Sequence, residues 1–179
     1  MAFFDKNKLR KIKEREKTTK KPTIMLVDDE TAHLMSMKYL LSDDYHIITA
    51  MDGQEAWNII QNMKQPEEIS LIISDQRMPN LTGIQLFEKL VSQLPNTIRI
   101  ILTGFIDVPV ILDAINKAKI HEFILKPFEP HDLLIRVKRA VEAFELTQKL
   151  KQSTKELERA NKELEEFNLT DELTGRKIE

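Results

Sequence analysis

The chain has no cysteine among its 179 residues. Disulfides and thiolate metal sites are therefore excluded, which suits a reducing cytoplasm. No apolar run approaches the ~20 residues that a membrane span requires. Phe3 and Phe4 have no continuous apolar segment behind them, so no secretory signal is expected. Charge of one sign is also missing. A formal net charge of −2 argues against a nucleic-acid binder driven by bulk charge. The four histidines, His33, His46, His121 and His131, are scattered without metal-ligand spacing. Between Pro130 and Gly175 there is neither proline nor glycine.

What remains is 41% hydrophobic and 31% charged, the balance of a globular protein with strongly charged segments. Residues 1–21 hold nine Lys/Arg against three Asp/Glu and read as a basic leader, disordered or helical. From Pro22 the pattern changes. Ile24–Val27, Tyr45–Ala50, Leu71–Ile73, Ile98–Leu102 and Phe123–Leu125 are short apolar runs of the kind buried in parallel sheets. Helical spacing fills the gaps at Thr31–Leu41, Gln54–Met63, Ile84–Leu94 and Asp107–Ala118, and again after Pro130. Five strands alternating with five helices over residues 22–146 predict an α/β fold with a parallel sheet covered on both faces.

In such a sheet all strands point one way, so the residues that follow them share one edge. Here those residues are Asp28 and Asp29, Asp75, Thr103 and Lys126. Clustered carboxylates repel unless a cation compensates. Mg²⁺ does so with one or two carboxylates, waters and phosphate oxygens. A hydroxyl and an ammonium serve poorly as ligands of that ion but can hold a phosphoryl group. The chemistry suggested is phosphoryl transfer onto a carboxylate. No histidine is expected on this rim.

In order and in register, Asp28-Asp29, Asp75-x-x-Met78-Pro79, Gly83, Thr103-Gly104 and Lys126-Pro127-Phe128 resemble a response-regulator receiver domain over residues 22–146. The resemblance implies a doubly wound, flavodoxin-like (CheY-like) sheet of order 2-1-3-4-5. It implies Asp75 as phosphoacceptor, Mg²⁺ held by Asp28, Asp29, Asp75 and the Arg77 carbonyl, and Thr103 and Lys126 as phosphoryl ligands. Thr103 and Phe123 would be switch residues. Arg77 and Phe105 would modulate the phosphoryl lifetime, Arg77 either by screening the phosphoaspartate or by touching a partner subunit. The implied partners are a histidine kinase and a second copy, met through the helix 4/strand 5/helix 5 face. The chain itself would only take up and hydrolyse its own phosphoryl group.

After Pro130 one helix of more than forty residues is expected. Leu150, Leu157 and Leu164 repeat every seven residues, which predicts a coiled coil over residues 147–170. As a positions they pair with Leu146, Ser153, Ala160 and Phe167 at d. As d positions they pair with Thr147, Thr154, Asn161 and Asn168 at a. Both registers stay open, and phosphorylation could re-pack the helix pair from one to the other. Asp171-x-Leu173-Thr174-Gly175 is similar to the opening of GGDEF diguanylate cyclase domains. That resemblance implies a receiver–GGDEF regulator cut before its catalytic domain, with residues 171–179 as its start and cyclic-di-GMP as its product. The alternative is a stand-alone adaptor without a cyclase.

Overall fold

A computed structural model describes residues 21–105 and 115–174, with side chains to residue 166 in the last helix. Five parallel strands form one sheet in the order β2-β1-β3-β4-β5. They are β1 (Thr23–Val27), β2 (His46–Ala50), β3 (Ile69–Asp75), β4 (Ile98–Thr103) and β5 (Glu122–Leu125). The helices are α1 (Thr31–Leu41), α2 (Gly53–Asn62), α3 (Gly83–Leu90), residues 115–118 as α4, and α5 (Pro130–Thr174). The basic leader (residues 1–20), most of the helix expected at Asp107–Ala118, and Gly175 lie outside the described residues.

The three central strands are buried along their whole length, and the edge strands β2 and β5 only in part. This is why their sequences read as unbroken apolar runs rather than alternations. Alternate side chains still separate into two layers. Ile24, Leu26, Leu71 and Ile73 pack with Leu34 and Leu41 of α1 and with Leu133, Val137 and Phe144 of α5. Met25, Val27, Ile72 and Ile101 pack with Ile60 of α2, Leu86 and Phe87 of α3, and Ala118 of α4. The doubly wound expectation holds, including the strand order. Trp57 is half-buried against this second layer, with the Lys89 ammonium 5.4 Å from its ring centre.

Local chemistry sets the helix starts. The Asp52 carboxylate accepts from the Glu55 N–H at 2.8 Å and caps α2. That bond, more than the one from Asn80, holds its carboxyl below the usual range. Thr82 and Gln85 cap α3 reciprocally. The helix expected to run to Leu94 stops at Leu90 instead, and residues 91–94 form turns. The residue pattern there is apolar enough for either, since Leu94 is buried in the core without being helical.

Arg99 is unexpected. It is fully buried in β4, its guanidinium donates to the Leu94 carbonyl, and its Nε and Nη1 have no partner among the described residues. Its backbone N–H donates to His121 Nδ1 at 3.0 Å, so that nitrogen is unprotonated. Partial burial and then the Arg99 charge push the His121 imidazole below its ordinary value. The folded chain thus binds fewer protons than the unfolded chain from about pH 6.5 downward. The His121 contribution to stability is complete above that pH and lost as pH falls through the depressed folded value. Thermal midpoints between about pH 7.5 and 5.5 should fall less in His121→Asn than in the parent chain.

Candidate functional site

The C-terminal rim of the sheet gathers the site. Parallel register places Val27 of β1 beside Ser74 of β3, and Asp75 beside Leu102 of β4. Asp28, one residue past β1, is fully buried, and Asp75 is 7% exposed. Two buried carboxylates side by side need a cation. Lys126, one residue past β5, supplies it. Its Nζ lies 2.6 Å from Asp75 Oδ1 and 2.9 Å from Asp28 Oδ2. Burial alone would lower the Lys126 pKa, but the hydrogen bonds and charges of Asp75 and Asp28 outweigh it, and the net shift is upward.

The remaining carboxylate oxygens bond backbone. Asp28 Oδ1 accepts from the Glu30 N–H at 2.9 Å, and Asp75 Oδ2 from the Arg77 N–H at 2.7 Å. The loop behind Asp75 is fastened at several points. Gln76 N–H donates to the Leu102 carbonyl at 2.9 Å. The Gln76 side chain accepts from the Ile84 N–H, and Asn80 donates to Asp52 at the start of α2. Asn80 adopts a left-handed φ of 64°, a conformation asparagine tolerates well. A Cβ on Gly83 would lie 2.4 Å from the Asp75 carbonyl oxygen, so only glycine allows α3 to start this close to the acceptor.

Not every expected member of the rim is engaged. Asp29 follows its buried neighbour but points to the exposed side. The Thr103 hydroxyl is turned to the Phe105 carbonyl at 2.8 Å. Phe123 is half-buried against the core, while Arg77 and Phe105 are exposed. The Lys126–Pro127 peptide is cis.

His33 corrects the expectation that no histidine would reach the rim. Its Nδ1 is 3.3 Å from Asp28 Oδ2, 3.6 Å from Glu30 Oε1 and 3.4 Å from Lys126 Nζ. The signal was the spacing: α1 starts right after Glu30, whose backbone carbonyl accepts from the His33 and Leu34 N–H groups, and the first helical turn carries residue 33 back over the strand end. Beside Asp28, His33 and Lys126 a groove of about 700 Å³ opens between α1 and α5, with Met37, Leu40 and Leu133 in its walls.

The donor set fits a hard divalent cation. Asp28 and Asp75 already enclose one positive charge, and Asp28, Glu30 and His33 bring one ligand atom each within 4.8 Å of one another, while Asp29 is exposed and outside that group.

The expected coiled-coil stretch is a continuation of α5 without a break. Leu146, Leu150, Leu157 and Leu164 are 60–69% exposed. Ser153, Thr154, Ala160 and Asn161 are exposed as well, and Phe167 lies in the helix backbone. Val137, Ala140, Val141 and Phe144, on the opposite side of the helix, are buried against the sheet. Among the described residues no helix is long and apolar enough to cross a membrane.

Residues 24–138 match the family model described as "Response regulator receiver domain". The chain is 35% identical over 124 residues to the hydrogenase transcriptional regulatory protein HoxA of Cupriavidus necator, covering 69% of this chain. It spans a quarter of that relative's length. Among solved structures, the signal receiver domain of an HD domain-containing protein from Pseudomonas fluorescens Pf-5 is 31% identical, with a TM-score of 0.64. That likeness covers 70% of this chain and 98% of the other. The adenylate cyclase from Rhodopirellula baltica is 27% identical with a TM-score of 0.69, covering 76% and 98%. The chain therefore belongs to the response regulator receiver domain family.

Proposed function

We propose that Asp75 accepts a phosphoryl group from the phosphohistidine of a partner kinase. A carboxylate oxygen of Asp75 attacks phosphorus, the P–N bond breaks, and the imidazole leaves. Asp28, Asp29, Asp75 and the Arg77 carbonyl would hold Mg²⁺. When bound, that ion offsets the charge on the phosphoryl oxygens. Lys126 neutralises the resting pair and then follows the new charge. Thr103 joins it by giving up its bond to the Phe105 carbonyl, and Phe123 moves further into the core.

The single observation that carries this reading is the Lys126 ammonium shared by two buried carboxylates on the same strand edge. The groove between α1 and α5, with its polar end at the reacting groups, suits a helical partner surface. Incubation with a small phosphodonor and Mg²⁺ should add the mass of one phosphoryl group to the parent chain and none to Asp75→Asn. Equal gain by both would overturn the assignment.

Output follows through a homodimer. The α4/β5/α5 face and the leucine stripe of α5 pair two copies, and phosphorylation re-packs the two helices between the registers described above. A diguanylate cyclase making cyclic-di-GMP is the output supported by Asp171-x-Leu173-Thr174-Gly175. A transcriptional output is the second reading, favoured by HoxA. A stand-alone adaptor is the third. Assaying the complete gene product for cyclic dinucleotide synthesis from GTP separates the first from the others.

A further inference from the structure

His33 is unused by the phosphoryl chemistry, yet it faces the reacting groups. We propose that His33 is an additional ligand of the divalent cation. It would give this rim a mixed oxygen and imidazole donor set, and with it a preference for transition-metal dications over Mg²⁺. The inference rests on the reading of the acidic rim as a cation site.

Three observations carry it. First, Asp28, Glu30 and His33 each offer one ligand atom, all within 4.8 Å of one another. The His33 Nδ1 separations of 3.3 Å to Asp28 and 3.6 Å to Glu30 approach the edge of an octahedron with ~2.1 Å bonds, about 3 Å. Second, a cation already occupies the neighbouring position. The Lys126 ammonium touches Asp28 Oδ2, Asp75 Oδ1 and His33 Nδ1 at 2.9, 2.6 and 3.4 Å. The imidazole nitrogen thus takes part in the same cage as the two carboxylates. Third, the ligands differ in freedom. Asp28 is fixed by full burial, whereas His33 is half-exposed on the first turn of α1 and can close on an ion by a side-chain rotation.

The consequence is chemical. Mg²⁺ prefers oxygen ligands in a strict octahedron and gains little from a nitrogen. Imidazole binds Co²⁺ and Ni²⁺ well, and affinity rises along the series from Mn²⁺ to Ni²⁺. An all-oxygen rim would discriminate less between these ions and Mg²⁺. Lys126, displaced from Asp28 and His33 by the ion, would keep its bond to Asp75 and stand ready for the phosphoryl oxygens.

The test uses the unphosphorylated chain and Co²⁺ alone, with Mg²⁺ as competitor. Proton NMR of the unmodified protein should show one strongly shifted imidazole signal on Co²⁺ addition. The Co²⁺-to-Mg²⁺ affinity ratio should fall about tenfold in both His33→Gln and His33→Ala, with Mg²⁺ affinity nearly unchanged. An unchanged ratio, or Co²⁺ binding without a shifted imidazole, overturns the proposal. Asp28→Asn distinguishes the two levels. If it binds both ions as the parent does, the acidic-rim reading fails. If it loses both while the ratio is insensitive to His33, only the nitrogen ligand is refuted.

Discussion

Gly83→Ala should cost about 3 kcal/mol of stability, the upper part of the range for forcing atoms into a packed core. The new methyl would lie 2.4 Å from the Asp75 carbonyl oxygen, 2.8 Å from Ile101 Cδ1 and 3.0 Å from Ser74 Oγ. The Ile101 tip can rotate away. The carbonyl cannot, because it belongs to a central strand and accepts from the Ser74 hydroxyl at 2.9 Å. Either α3 retreats or Asp75 shifts out of line with Lys126. The variant should therefore also take up phosphoryl more slowly than its lost stability alone explains. Gly104→Ala is the control, since nothing lies within 4 Å of its added methyl. Urea midpoints of the two variants read the contrast, and equal midpoints would contradict the close approach.

Lys126→Ala should be destabilised by about 3 kcal/mol, because removing one partner leaves buried carboxylates without a counter-charge. The figure stands at the low end of that range because the Lys126 side chain is 22% exposed and water can partly replace it. Two results should accompany the loss. Mg²⁺ should stabilise the variant by about 2.7 kcal/mol at a hundredfold excess over its Kd, and the parent by less. Adding Asp75→Asn should make the lysine loss cheaper, since one of the repelling charges is gone. Denaturation of the single and double variants, with and without the ion, measures both. Additive losses, insensitive to Mg²⁺, would show that the lysine acts by packing alone.

The parts of this molecule written as contiguous patterns are legible in the order of its residues. Leu71-Ile72-Ile73 is apolar because β3 is covered on both faces, and the acid after it stands on the rim because a parallel sheet sends every strand end to one side. Asp75, Asp28 and Lys126 follow from that logic. Features that depend on direction within a turn do not. Asp28 and Asp29 are adjacent, yet one is buried and the other exposed. His33 sits five residues beyond Asp28, and only the tight entry into α1 folds it back. The Thr103 hydroxyl is drawn to the carbonyl of Phe105, a local bond that periodicity does not encode. Arg99 is a polar interruption in an apolar strand, which by pattern alone would face solvent. Instead it stays buried and donates to the Leu94 carbonyl in the turn before β4, a local contact that the pattern does not encode.

The unbroken course of α5 has a mechanical consequence. The same helix forms a wall of the receiver at Val137–Phe144 and carries the leucine stripe beyond it, with Lys151 still reaching Asn96. Such a rod has no joint, so it transmits twist as well as displacement. Each residue turns it by about 100° and advances it about 1.5 Å. Beyond Phe144 it runs roughly 45 Å to Thr174 on that rise. A rotation of a few degrees where the helix leaves the sheet would be carried along it toward its far end. On the proposed phosphorylation of Asp75, what travels along this shaft would be a phase angle, and an attached output would be addressed by orientation rather than by reach.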